Sequence, residues 1–139
     1  MVTDRLCIRP LEQPWINEMT ADYTAHQRLL NRVAKLSIDP TLADWEMWMV
    51  QLKDRTYIGD IALKRQHDTV EVGYFFQEDY RSQGYATESV GALLNELVQH
   101  APVMFKAECL KSNIASQRVL GKLGFTVTHE DGNLMYWKK

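Results

Sequence analysis

The chain has 139 residues, 45% of them hydrophobic and 24% charged. One domain of ordinary globular balance fits that length, and disorder is excluded. Sixteen basic and 18 acidic residues leave a formal net charge of −2, which argues against a strongly cationic nucleic-acid binder. Cys7 and Cys109 are too few for a disulfide scaffold, and no Cys-rich metal spacing is present. No apolar run approaches the roughly 20 residues of a membrane helix. Met1–Arg5 lacks the apolar stretch of a signal peptide. The expectation is a single domain over 1–139, cytoplasmic, with no metal, no membrane contact and no nucleic-acid partner.

Leu6–Arg9 is a short apolar run closed by Pro10 and reads as a strand. Pro14 to Leu36 reads as two helices, broken near Ala21–Thr24. Leu29, Leu30, Val33 and Leu36 form one apolar stripe there. Three strands follow. Asp44–Lys53 alternates, with Glu46, Trp48, Val50 and Leu52 on one face. Tyr57–Arg65 and Thr69–Gln77 come next, joined by turns at Asp54-Arg55 and His67-Asp68. Such short turns between alternating runs predict an antiparallel meander. Behind a polar stretch at Glu78–Tyr85, Val90, Leu93, Leu94, Leu97 and Val98 mark a one-faced helix. Val103–Cys109 is a strand. Asn113–Leu123 is a helix with Ala115, Val119, Leu120 and Leu123 inward, capped by Gly124. Phe125–Glu130 and Leu134–Trp137 make a final hairpin. The order is β-αα-βββ-α-β-α-ββ. The strand–helix–strand crossover must be parallel and right-handed, so the fold class is α+β with a mixed sheet.

Chemistry concentrates in Arg81-Ser82-Gln83-Gly84-Tyr85-Ala86-Thr87, where a strand passes into a helix. The first amides of a helix lack intrahelical partners and carry partial positive charge. A tight turn there aims several N–H groups at one anion. Gly84 permits close backbone approach, Ala86 stays small, and Arg81 adds a cation. The residues alone point to a phosphate or pyrophosphate. The segment is neither a Walker A loop nor a three-glycine dinucleotide fingerprint. The other reading is a structural strand–helix turn.

Arg81-Ser82-Gln83-Gly84-Tyr85-Ala86 resembles the Arg/Gln-x-x-Gly-x-Gly/Ala motif of the GNAT acetyltransferases. Asn113-Ile114-Ala115-Ser116 with Lys122-Leu123-Gly124-Phe125 resembles the superfamily's second signature. Thr3-Asp4-Arg5-Leu6, Arg9-Pro10-Leu11 and Val72-Gly73-Tyr74 are similar to the ribosomal-protein N-acetyltransferase branch. This resemblance spans essentially the whole chain. It implies the GNAT fold, a mostly antiparallel sheet with a central, splayed parallel strand pair flanked by helices. It also implies an acetyl-CoA site. The strand carrying Phe75 and Phe76 would splay from the strand ending near Cys109, with pantetheine in the V. Gln83, Gly84, Tyr85, Ala86 and Thr87 would hold the pyrophosphate, with Arg81 and Ser82 beside them. Asn113 would bond the pantetheine region.

The resemblance further implies direct attack by an amine within a ternary complex, so neither cysteine need be a nucleophile. Many relatives carry a Tyr proton donor where this chain has Leu120. Ser116 stands where the ribosomal-protein branch has a Ser proposed to meet the leaving thiolate; it also suits a helix first turn. Glu71 is the leading base and Glu108 the second, each alternatively a solvated carboxylate. Water can replace both. Glu12, Glu18 and Asp22 fall near the expected acceptor groove or on a solvated helix face. The expected activity is N-acetyl transfer to a protein N-terminus or a small-molecule amine, by a monomer or homodimer. The rival is a degenerate acyl-CoA-binding sensor or interaction domain.

Overall fold

Seven strands and four helices follow the order read from the sequence in the computed structural model, which describes residues 1–139. They are β1 (Leu6–Pro10), α1 (Gln13–Glu18), α2 (Tyr23–Ile38), β2 (Trp45–Leu52), β3 (Tyr57–Gln66) and β4 (Thr69–Phe76). After these come α3 (Tyr85–His100), β5 (Met104–Leu110), α4 (Ile114–Lys122), β6 (Thr126–Asp131) and β7 (Leu134–Lys138). The sheet order is β1-β2-β3-β4-β5-β7-β6. Every neighbouring pair is antiparallel except β4 and β5.

Local chemistry explains the boundaries. Arg55 and His67 take φ of 73° and 57°, the left-handed conformation that tight hairpin turns demand. Asp22 accepts from Ala25 N–H at 2.8 Å and caps α2. Gly124 closes α4 at φ 90°.

Helices cover both faces of the sheet. On one face α3 and α4 pack over Val50, Ile58, Ile61, Leu63, Val70, Val72, Phe105 and Ala107. On the other, α1 and α2 pack over Met49 and Tyr57 through Ile16, Ala25 and Leu29. This second cover involves no residue of β4–β7, so that half of the face stays open. The α3 stripe is shorter than its periodicity suggests: Val90, Leu93 and Leu94 are buried while Val98 is exposed. Ala115 is likewise exposed and borders a cleft.

The feature that positions the site is the break in β4–β5. The strands pair only at Thr69–Met104, Val70–Phe105 and Glu71–Lys106, then diverge. Each keeps its outer partner. β3 follows β4 to Phe76, and β7 follows β5 to Leu110. Only the inner edges open, as the splayed pair requires.

Gly59 sets the line of β4 at this point. A Cβ on Gly59 would lie 2.6 Å from Phe76 Cδ1 and closer still to the Phe75 carbonyl oxygen. Backbone cannot yield cheaply there. Gly59→Ala is therefore expected to destabilise the fold by about 1–3 kcal/mol and to displace Phe76. Denaturant unfolding checks the first effect; unchanged stability would show that β4 is free to move.

Candidate functional site

The loop between β4 and α3 contains two left-handed residues, Ser82 at φ 61° and Gly84 at φ 82°. They turn the chain so that α3 begins with no side chain capping its N-terminus. Glu88 N–H reaches back to Gly84 C=O at 3.0 Å, closing the first helical turn. The amides of Tyr85, Ala86 and Thr87 precede that bond and have no intrahelical acceptor. All three residues line a cleft of about 450 Å³. Asn113, Ser116, Val119 and Lys122 form its opposite wall. The cleft lies on the α3–α4 side of the open β4–β5 edge. A run of unpartnered amides at a helix N-terminus favours an anion.

An N-terminal clamp braces the loop. Glu88 receives bonds from Thr3 Oγ1, from Arg5 N–H at 3.1 Å and from Arg5 Nε at 2.7 Å. Arg5 Nη1 also donates to Gln83 C=O at 3.0 Å, and its guanidinium lies 4.3 Å from the Tyr85 ring centre. Partial burial works against the Glu88 charge, but the Thr3 and Arg5 bonds outweigh it and hold its pKa below the usual carboxylate value. Arg5 escaped the sequence reading of the site, because its motif pointed to a family and not to a contact with the loop.

The other wall of the splay is β4. Gln77 N–H donates to Ile58 C=O at 2.9 Å, so alternation turns the main chains of Tyr74 and Phe76 toward the open edge. Phe76 C=O is already taken by Arg81 Nε at 2.8 Å. The Phe76 N–H and the Tyr74 main chain remain for a ligand. Arg81 thus braces β4, a role beyond the expected loose phosphate contact.

Asn113 caps α4, its Oδ1 accepting from Ser116 N–H at 3.0 Å. The first-turn reading of Ser116 therefore stands beside the functional one. Ser116 Oγ also lies 2.9 Å from the Tyr74 hydroxyl. Burial raises the Tyr74 pKa; the Ser116 bond pulls the other way and the neighbouring Cys109 adds to the rise. Tyr74 stays protonated across the neutral range. The sequence showed no Tyr at the expected α4 position. A Tyr from the facing strand stands here, detectable only once β4 and α4 are set side by side.

The structure divides the sequence-derived candidates. Phe76, Arg81, Ser82, Gly84, Tyr85, Ala86, Thr87, Asn113 and Ser116 share the cleft, with Phe75 at its rim. Gln83 faces back on the loop, its Nε2 donating to Asp79 C=O at 2.9 Å. Glu71 and Glu108 line a second depression on the open, opposite face of β4 and β5. The Gly84 cleft and the hollow of Glu71 and Glu108 share no lining residue. They meet only across the splay. Alternation along the strands puts Val72 and Ala107 toward α3 and α4, and hence Glu71 and Glu108 away from them. Asp22 is committed to its cap, and Glu18 pairs with Arg55 at 3.3 Å. No three His, Cys, Asp or Glu groups cluster as metal ligands. No helix is long and apolar enough to cross a membrane.

A parallel splay opposite an uncapped, glycine-led helix defines the GNAT class of fold. The acetyltransferase (GNAT) domain family matches residues 4–126, and the chain belongs to that acetyltransferase family. Among named relatives, the uncharacterized N-acetyltransferase YjdG of Bacillus subtilis (strain 168) is 26% identical over 98 residues, covering 67% of this chain and 58% of its own. The match thus spans less than two thirds of that relative. The uncharacterized N-acetyltransferase YnaD of the same organism is 31% identical over 140 residues, covering 89% of this chain and 81% of its own. A solved structure of RimL, a ribosomal L7/L12 alpha-N-protein acetyltransferase in complex with coenzyme A, superposes with TM-score 0.77 at 15% identity. It covers 100% of this chain and 96% of that one.

Two outcomes are expected. Gly84→Val, forced into φ 82° and set against Arg5, weakens acetyl-CoA at least tenfold, about 1.4 kcal/mol, with the fold intact. Calorimetric titration checks this, and unchanged affinity would remove the loop from the site. Glu88 has a depressed pKa, so its contribution is present above its unfolded value, near 4.5, and is lost as pH falls below it. Its partner Arg5 is 45% exposed, which screens the pair, so the contribution is worth at most about 1 kcal/mol. Glu88→Gln should thus lower stability at pH 7, with the gap to the parent narrowing as pH falls through the lowered folded-state value, as urea unfolding across the acid range will show.

Proposed function

We propose that the chain transfers the acetyl group of acetyl-CoA directly to a primary amine within a ternary complex. The observation that carries this is the coincidence of two unsatisfied sets of backbone groups in one cleft: the α3 amides and the open edge of β4. Buried main-chain groups seldom stay unpaired. An extended chain bearing a diphosphate satisfies both.

In this reading the α3 amides and Gly84 hold the pyrophosphate, and pantetheine continues the sheet between β4 and β5. Phe76 N–H is aimed where the thioester oxygen gains charge, which is the largest single contribution such a site can make. The amine approaches from the open face. Its nitrogen bonds to the carbonyl carbon, the C–S bond breaks, and the amine proton passes to Glu71, Glu108 or water. The thiolate takes a proton from Ser116, and Tyr74 stands in contact to supply the next. The neutral Tyr74 suits this role because its hydroxyl stays protonated. Both thiols are free, which supports a reducing, cytoplasmic setting. The acceptor is a protein N-terminus or a small-molecule amine.

Thiol release from acetyl-CoA across a panel of amines tests the activity. Turnover on at least one amine is expected. Binding of acetyl-CoA without turnover on any would make the domain a sensor instead. Tyr74→Phe and Ser116→Ala should each lower kcat by about a hundredfold, the low end of general acid catalysis, with little change in the acetyl-CoA constant. Glu71→Gln should lower kcat/KM for the amine and erase the acidic limb of its pH profile. Normal kinetics in all three would leave positioning and the Phe76 amide as the whole mechanism.

A further inference from the structure

One polar cluster plays no part in the cleft. A bulge in β3 at Ile58 sets Tyr57 and Asp60, three residues apart, on the same α2-side face. Bulges re-aim side chains in this way and recur beside active sites. Tyr57 is fully buried and donates to Asp60, itself only 5% exposed. Above them stands Arg28 of α2. Its Nη2 donates to Tyr57 Oη, and Nη1 and Nη2 both reach Asp60 Oδ2 at 3.4 Å. Burial raises the Asp60 pKa, against the pull of Tyr57 and Arg28.

A buried carboxylate is costly unless it holds something in place. What it holds here is a guanidinium with 45% of its side chain still exposed. The guanidinium plane sits 4.8 Å from the ring centre of Phe75, which rims the acetyl-CoA cleft. Arg28 Nε–H takes no part in these bonds, and it leaves donors for an incoming anion.

The floor beside this cation is bare. Gly73 lies on the same face of β4, between Phe75 and Glu71, and a Cβ there would meet nothing within 4 Å. Its cross-strand partner is the small Ala62. Two residues along a strand span about 7 Å. A nitrogen over Gly73 would therefore lie between Glu71 and Phe75 along the strand, with Arg28 over the Phe75 ring on the far side.

We propose that this bare stretch of β4 beside Arg28 takes a small primary amine that carries its own carboxylate or phosphate, with the nitrogen over Gly73 and the anion on Arg28. Arg28 is the anion anchor; Tyr57 and Asp60 are positioning residues that fix its plane. The proposal rests on the acetyltransferase reading and names its substrate class.

The test uses the purified chain with acetyl-CoA and matched amines. β-Alanine is set against β-alaninamide, and O-phosphoethanolamine against ethanolamine. The anionic member of at least one pair should show kcat/KM at least about tenfold higher, as one charge-assisted contact allows; which pair does so tells carboxylate from phosphate. Arg28→Ala should erase that preference through KM, and Arg28→Lys should restore part of it. Because Arg28→Ala strands Asp60, Gly73→Val provides a second variant that leaves the cluster intact. It should raise KM for the preferred amine while acetyl-CoA binding, read by calorimetry, is unchanged. Equal or better turnover of the neutral amines, or of a neutral peptide N-terminus, overturns the proposal and leaves the acetyltransferase reading standing. Binding of acetyl-CoA with no turnover on any amine overturns both.

Discussion

Everything in this site depends on β4 and β5 ceasing to pair after Glu71 and Lys106. A parallel ladder that continued would consume the main-chain groups of Tyr74 and Phe76 and leave nothing to hold an extended ligand. The opening is sustained from outside. β3 and β7 keep the outer edges of both strands in register, so the V does not cost either strand its place in the sheet. Inside it, the Tyr74 hydroxyl reaches Ser116 on α4, and Arg81 occupies the Phe76 carbonyl. What remains unsatisfied is narrow and directional.

The split also connects two chemically different faces. On the α3–α4 side, helix amides and a glycine turn favour a diphosphate. On the α2 side, the uncovered β4 carries Glu71 and Gly73, and Arg28 of α2 stands over Phe75. A sheet normally separates its two faces. Here the missing ladder is the passage between them, and the reacting carbon would sit in it. That arrangement suits direct transfer, since each reactant would have its own hollow and no covalent relay through the protein would be required.

The element order was legible because each boundary carries its own chemistry: short turns at Asp54-Arg55 and His67-Asp68, Pro10 as a stop, Gly124 as a cap. The turn into α3 was legible for the same reason, since its geometry lies in consecutive backbone. Partnerships between distant elements were not. Tyr74 meets Ser116 across 42 residues, and Arg5 meets Gln83 across 78; no local pattern encodes either. Glu71 and Glu108 were placed in the right strands, but their face follows from alternation and register, which only the paired sheet fixes. The Tyr57–Asp60 pair was hidden by a bulge that breaks the two-residue period on which strand reading relies. Val98 and Ala115 show the converse. Their spacing is helical and apolar, yet one is exposed to solvent and the other borders the cleft.

A crystal structure of the chain with bound coenzyme A tests the central claim most directly. The account predicts pantetheine lying between β4 and β5, bonded to the main chains of Tyr74 and Phe76. The diphosphate should lie within about 2.7–3.2 Å of amides in the Tyr85–Thr87 turn. Strands zipped together through Phe76, or coenzyme A seated on the α2 face, would contradict it.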